Sequence, residues 1–176
     1  EARREGERFR ELALQDALTG LHNRRYVDGR LPALVRAAAN GGEHLAVALV
    51  DLDHFKRVND PLSHAVGDEV LRRVAMILEQ AVAEHGFAAR VGGEEFLLVL
   101  FGVSPQEAAE CWETVRENVR SYPRQSLTAG VPVTVSIGAT TLVAGRATQA
   151  ALLGAADRNL YVAKRGGRDR VVNDPY

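Results

Sequence analysis

Cysteine is almost missing from this sequence. One thiol, Cys111, stands among 176 residues, which excludes an internal disulfide framework and fits a reducing compartment such as the cytoplasm. An excess of charge of either sign is missing too. The 22 Lys and Arg against 23 Asp and Glu give a formal net charge of −1, so bulk electrostatics call for neither a nucleic-acid nor a membrane partner, while a small anionic ligand bound locally is still allowed. No apolar run approaches the ~20 residues that cross a bilayer, and no secretory leader pattern is present, so these residues are expected to be soluble and to make no direct membrane contact. No internal repeat or low-complexity stretch interrupts the chain. It opens on Glu1 rather than methionine, which suggests excision from a longer protein whose remainder could carry a sensor or a membrane anchor.

What is present suits one domain with a sizeable core, since 46% of the residues are hydrophobic. Residues 1–15 read as a helical stalk: EARREGERFRELAL carries eight charges, with Ala2, Phe9 and Leu12 near coiled-coil spacing and Glu5 interrupting. Residues 16–176 then alternate helix and strand patterns. RRYVDGRLPALVRAAAN (24–40) predicts a helix stopped by Asn40, Gly41 and Gly42. LAVALV (45–50) is the continuous apolar run of a strand buried on both faces. A helix follows from Asp68 to Gly86, with apolar residues at 70, 71, 74, 77, 78 and 81. FAARV (87–91) and FLLVLF (96–101) predict a hairpin joined by the four residues GGEE, whose glycines would supply positive φ. SPQE (104–107) is a capping box with Pro105 at the first helical position. Ala108, Cys111, Trp112, Val115 and Val119 give that helix its buried stripe. PVTVSIGATTL (132–142) is a further strand, about 148–165 a last helix, and GGRDRVV a turn into a short terminal strand. Residues 121–130 and 144–147 read as plain loops. The pattern describes an α/β sandwich, an antiparallel sheet with helices packed outside.

Two acidic sites come into register in this scheme. Asp51 and Asp53 end the first core strand, and Glu94 and Glu95 lie in the hairpin turn. If the hairpin pairs beside that strand, three or four carboxylates converge, and they repel one another unless a cation or protons intervene. Hard oxygen ligands offered at low number suit magnesium, which shares its shell with water and phosphate. The following segment, DLDHFKRVNDPLSHAVGDEVL (51–71), opens a helix directly after the strand, so free amides and Lys56 could receive phosphate oxygens. Asn59 and Asp68 offer a donor and acceptors suited to a purine edge, guanine above adenine, although both are also common helix caps.

DALTGLHNRR (16–25), DLDHFKRVND, HAVGDEVL, RVGGEEF, VSIGAT and NLYVAKRGGRDRV resemble, in order and spacing, the GGDEF family of diguanylate cyclases in its GGEEF variant, from residue 16 to about 172. The resemblance implies a ferredoxin-like, palm-type α+β fold similar to class III nucleotidyl cyclases. It implies condensation of two GTP into the bacterial second messenger cyclic di-GMP, with release of two pyrophosphates across a transient homodimer. By matching position, Asp51, the Leu52 carbonyl, Glu94 and Glu95 would hold two magnesium or manganese ions. Gly92 and Gly93 would let the backbone approach the nucleotide. Asn59 and Asp68 would read guanine, and Phe55, Lys56, His64, Lys164 and Arg168 would line the substrate, with Lys56, Lys164 and Arg168 on phosphates. For His64 a structural role is the alternative. Asp51, Lys56 and Glu94 would act in catalysis, Glu94 as proton acceptor unless a hydroxide in the metal shell takes that part.

Two departures from the family pattern stand out. Pro61, Leu62 and Ser63 precede His64 where an aromatic residue and glycine are usual, which would reshape the nucleotide pocket. Ala83 and Gly86 stand where many relatives carry an inhibitory Arg-x-x-Asp, so the usual inhibitory product site is expected to be absent. Against an active cyclase stand two other readings, a nucleotide-binding effector without turnover and a dimerisation module.

Overall fold

The computed structural model describes residues 2–62, 64–123, 125–142 and 147–175, with the side chains of 59–62, 125, 126 and 175 outside the description. The elements run α1 (Ala2–Leu12), β1 (His22–Asn23), α2 (Arg24–Ala39), β2 (Leu45–Leu52), α3 (Phe55–Leu62), α4 (His64–Val82), β3 (Gly86–Arg90) and β4 (Glu95–Phe101), followed by α5 (Pro105–Ser121), α6 (Gln125–Thr128), β5 (Val135–Leu142), α7 (Gln149–Arg165) and β6 (Arg170–Pro175). One six-stranded sheet is ordered β1-β3-β4-β2-β5-β6. Its four middle strands pair antiparallel, and with the helices between them they make the expected β-α-β-β-α-β, ferredoxin-like unit.

The sheet is not antiparallel throughout. β1 pairs parallel with β3, and β6 parallel with β5. Both are edge strands, and a two-residue strand is too short to show a period. Residues 121–130 are not wholly loop either, because α6 lies within them and Thr128, fully buried, donates its hydroxyl to the Val131 carbonyl at 2.9 Å. Of residues 144–147, only Ala147 is among those described.

The strands present a face to each of two apolar layers. β2 is buried at every position, with Ala46, Ala48, Val50 and Leu52 packing against α4 and α5 through Val74, Leu78, Trp112 and Val115. Leu45, Val47 and Leu49 point the other way, onto α2 and α7 through Leu31, Val35, Leu152 and Leu160. Such two-sided burial is what the unbroken apolar run predicted, and each large side chain buried in it contributes roughly 1.5–3 kcal/mol. The helix start expected at Ser104 is also borne out: Ser104 is the N-cap, accepting from the Glu107 amide at 3.1 Å, with Pro105 in the first turn.

α7 approaches the sheet closely because Gly138 of β5 has no side chain. A Cβ there would run into the Leu160 amide and the Ala156 carbonyl. Asn159 fastens the contact by donating to the Ala139 carbonyl at 2.8 Å. In contrast, α1 buries no residue, and Phe9 and Leu12 are exposed. No helix among the described residues is long and apolar enough to cross a membrane.

Candidate active site

The two acidic sites meet at one end of β2. Asp51 sits between Glu95 of β4 and Ser136 of β5 in the strand register, and directly paired residues share a face, here the one covered by α7. The connection between β3 and β4 runs over 91–94, so Glu95 is the first residue of a strand and Glu94 the last of the turn. Leu52 is locked to this turn, its amide donating to the Glu94 carbonyl at 3.2 Å.

Electrostatics at this end of the sheet favour protonation. Burial pushes the Asp51 carboxyl above its ordinary value, opposed by its hydrogen bond and attraction to Lys164 and reinforced by Asp53. Burial and then the charge of Asp51 push Glu94 up. Burial, Asp51 and Asp157 of α7 do the same to Glu95, against Lys164 and Arg24. Lys164, in the last turn of α7, donates to Asp51 Oδ2 at 2.7 Å. Among the described residues, no group of three or more His, Cys, Asp or Glu stands ready to enclose a metal ion. The donor chemistry nevertheless fits a hard dication: the charge of Asp51 acts on both Glu94 and Glu95, and all three carboxyls are driven toward neutrality although Lys164 already bonds Asp51.

The glycines of the turn do not play the part expected from sequence. Positive φ occurs at Gly20, Gly41, Gly102, Gly130 and Gly167, not at Gly92 or Gly93. A Cβ on Gly93 would meet nothing within 4 Å, and one on Gly92 would only touch the Glu95 Cβ at 3.4 Å. What the pair provides is bare backbone. Arg90 fixes its conformation, donating from Nε at 3.1 Å and from Nη2 at 2.7 Å to the Gly93 carbonyl. Its Nη1 reaches both carboxylate oxygens of Asp16 at 3.3 Å. Asp16 in turn accepts from the Thr19 amide at 2.9 Å and hydroxyl at 2.7 Å. Burial alone would raise its carboxyl, but the Thr19 hydrogen bonds and Arg90 outweigh that and lower it.

Asp53 differs from Asp51. It is 5% exposed and accepts from Ser136 Oγ at 2.6 Å, Thr134 Oγ1 at 2.8 Å and the Asp169 amide at 2.9 Å. Those bonds turn it to the loop after α7 rather than to the glutamates. Arg168 in that loop is exposed, yet its charge acts on Asp51.

The remaining expected residues lie on α3 and α4. Phe55 is half-buried against the core, and Lys56 beside it is exposed. The amide of Arg57 is taken up by the His54 carbonyl at 2.8 Å, so it is not available to a phosphate. His64 opens α4 and is exposed. Asn59 and Asp68 fall inside α3 and α4 rather than before them, so neither is an N-cap. The side chains of Asn59, Pro61 and Leu62, and all of Ser63, lie outside the described residues. Ala83 and Gly86 line a cavity of about 280 Å³ with Gln15, His22, Glu79 and Phe87. A Cβ on Gly86 would run into the Val99 carbonyl, so this backbone does not accept an aspartate there.

Reading by sequence alone missed the roles of Arg90, Asp16, Asp53 and Asp157. A charged residue ending a strand just before a glycine pair, and an Asp three residues ahead of a Thr in a turn, were the signals available.

A ferredoxin-like sheet here carries paired carboxylates and a lysine at one end, and comparison with known proteins shows the family to which such a domain belongs. The family described as "Diguanylate cyclase, GGDEF domain" matches residues 13–170. The response regulator PleD of Caulobacter vibrioides is 40% identical over 168 residues, covering 92% of this chain and 36% of PleD. The solved coiled coil and GGDEF domain of DgcB from Caulobacter crescentus, in complex with c-di-GMP, superposes with a TM-score of 0.88 at 34% identity, covering 98% of this chain and 92% of that one. The active GGEEF domain of a diguanylate cyclase from Vibrio cholerae gives 0.77 at 31% identity, covering 87% and 97%. The chain belongs to the GGDEF family of diguanylate cyclases. It spans about a third of the length of PleD.

Proposed function

We propose that this chain condenses two molecules of GTP into cyclic di-GMP with release of two pyrophosphates. The observation that carries the reading is the register of Asp51 with Glu95, beside Glu94 and under Lys164, at the open end of a palm-type sheet. Phosphoryl transfer asks a protein mainly for position and charge, and this end of the sheet supplies both.

Asp51, the Leu52 carbonyl, Glu94 and Glu95 would hold two magnesium or manganese ions, with phosphate oxygens and water completing each shell, since among the described residues the side chains alone form no closed cage. Bound there, the ions would acidify the attacking hydroxyl and offset charge on the phosphorus oxygens. The chain's own groups do the rest. Glu94, whose carboxyl is pushed above its ordinary value by burial and by Asp51, is the group that would accept the proton of a ribose 3′-hydroxyl. Lys164, Arg168 and Lys56 would face the triphosphate, with Phe55 and His64 close by, and the bare backbone at Gly92 and Gly93 lets the nucleotide approach. Asn59 and Asp68, excluded as N-caps by their places inside helices, would pair with the guanine edge.

One domain offers one such site, so two copies must face each other, each hydroxyl attacking the other's α-phosphorus. The product then carries the two-fold symmetry of the pair. α1, with Phe9 and Leu12 uncovered, would be the end of a stalk ahead of a domain beginning at residue 16, and would help bring two copies together. A GTP substrate and a half-buried thiol at Cys111 fit a cytoplasmic location. The test is incubation with GTP and magnesium followed by chromatography. Cyclic di-GMP is the expected product. Retained GTP binding without it would make the chain a nucleotide-binding effector instead.

A further inference from the structure

The loop that carries Arg168 is held in an unfavourable backbone conformation. Arg168 and Asp169 both lie in the left-handed region, with φ of 64° and 44°, and neither is glycine. Two such residues in succession cost free energy that surrounding contacts must offset. The contacts are visible. From beneath, Asp53 Oδ2 accepts the Asp169 amide at 2.9 Å, while Ser136 and Thr134 fix the Asp53 carboxylate. From the side, Arg116 of α5 donates from Nη1 to Asp169 Oδ1 at 3.1 Å, and Arg120 lies 3.8 Å from the other oxygen. Glu113 holds Arg116 in turn, at 3.0 Å. Inside the loop, the Arg168 amide donates to the Ala163 carbonyl at 3.0 Å, and the Arg168 carbonyl accepts from Arg170 Nε at 3.1 Å.

These bonds join the end of β2, the start of β5, α5 and the loop after α7, four segments distant in sequence, around the backbone of one arginine. A stop for α7 needs none of this, since Gly166 and Gly167 already provide one. We propose that Asp53 is a positioning residue: through the Asp169 amide, and with Arg116 gripping the Asp169 carboxylate, it sets Arg168 in the left-handed turn from which the guanidinium meets the substrate's β- and γ-phosphates. The inference rests on the reading of Arg168 as a phosphate contact. It gives a separate task to the second aspartate of the Asp-Leu-Asp sequence, which the glutamates and Lys164 leave to one side.

Binding measurements separate this from a purely structural role. The probes are an α,β-methylene analogue of GTP and GMP, which lacks the β- and γ-phosphates, titrated calorimetrically into the full chain. Asp53→Ala should weaken the triphosphate analogue about tenfold while leaving GMP nearly unchanged, the size expected for losing one charge-assisted contact. Combined with Arg168→Ala it should cost little more than Arg168→Ala alone, because both remove the same contact. Asp53→Asn should restore most of the binding: its amide oxygen can accept from Asp169 and Thr134 while its NH2 donates to the Ser136 hydroxyl. Should Asp53→Ala fail to fold, Arg116→Ala reaches the same loop from an outer helix, and it should show the same selective loss, smaller in size. Equal weakening of both ligands, or losses that multiply with Arg168→Ala, would overturn the proposal. If Arg168→Ala bound the triphosphate as well as the parent, the phosphate reading itself would fall and the proposal with it.

Discussion

Lys164 Nζ lies 2.7 Å from Asp51 Oδ2, so the cation that balances the central carboxylate is one of the chain's own side chains. Under the proposed function the same lysine would also meet phosphate. Were Lys164 to leave Asp51 for a phosphate, another positive charge would have to take over at Asp51, which would tie substrate contact to cation binding at this end of the sheet.

Asp51→Asn should therefore lower cyclic di-GMP formation by on the order of 10²–10³-fold, comparable to losing a central electrostatic contact, without loss of fold. The pH dependence has a definite sign. Asp51, Glu94 and Glu95 all sit above their ordinary values of 3.8, 4.5 and 4.5 in the folded chain. The native state thus holds these protons more tightly than the unfolded one, and this contribution to stability is complete below the ordinary values and lost as pH rises through the folded ones. Melting of metal-free protein should show the Asp51→Asn variant and the parent together at low pH, with the parent falling behind as pH rises. A variant that instead falls behind the parent as pH rises would show the carboxylate to be a net stabiliser.

Arg90 and Asp16 form one unit across the turn. Arg90→Ala should cost about 1–3 kcal/mol in urea unfolding, since it strips a half-buried carboxylate and the Gly93 carbonyl of charged donors. Arg90→Ala with Asp16→Ala should cost less than the two losses added together. Strict additivity would mean that the 3.3 Å contacts carry no coupling.

Guanine selectivity is tested at Asp68. Asp68→Ala should weaken GTP by about 1–3 kcal/mol and narrow the preference over ATP, because the N1–H and 2-amino group that Asp68 would accept from are present on guanine and not on adenine. Equal losses for the two nucleotides would point to a structural role for Asp68 inside α4.

Much of this was legible in the sequence, and the parts that were not have physical causes. The apolar run 45–50 announced a doubly buried strand, and β2 is one. Ser104 announced a helix start and caps one. Asp51 was expected to converge with Glu94 and Glu95 on the condition that the hairpin pairs beside the first core strand, and β4 does pair with β2, with Asp51 opposite Glu95. β6 was legible as a short terminal strand, but its parallel pairing with β5 was not, and the two-residue β1 is too short to show a period. The glycine pair misled because glycine has two uses, positive φ and bare backbone, and composition does not distinguish them. Asp53 and Arg90 act across 116 and 74 residues of sequence, distances at which no local pattern speaks.

Product feedback is open to test because Ala83 and Gly86 offer neither charge nor side-chain hydrogen bonds, and the Val99 carbonyl leaves no room beside Gly86. Inhibition by cyclic di-GMP should be competitive, raising KM and leaving kcat within about twofold, as product shares guanine and phosphate with substrate. A fall in kcat that saturating GTP does not reverse would reveal a second product site.

The central claim is that two copies of this chain join two GTP. Its most direct test follows cyclic di-GMP and pyrophosphate together over a hundredfold range of chain concentration, starting where sedimentation shows monomer. Two pyrophosphates should appear for each cyclic di-GMP, and the rate per chain should rise with concentration until the pair is saturated. A rate per chain that stays flat from monomer upward, or pyrophosphate released without cyclic di-GMP, would contradict the account.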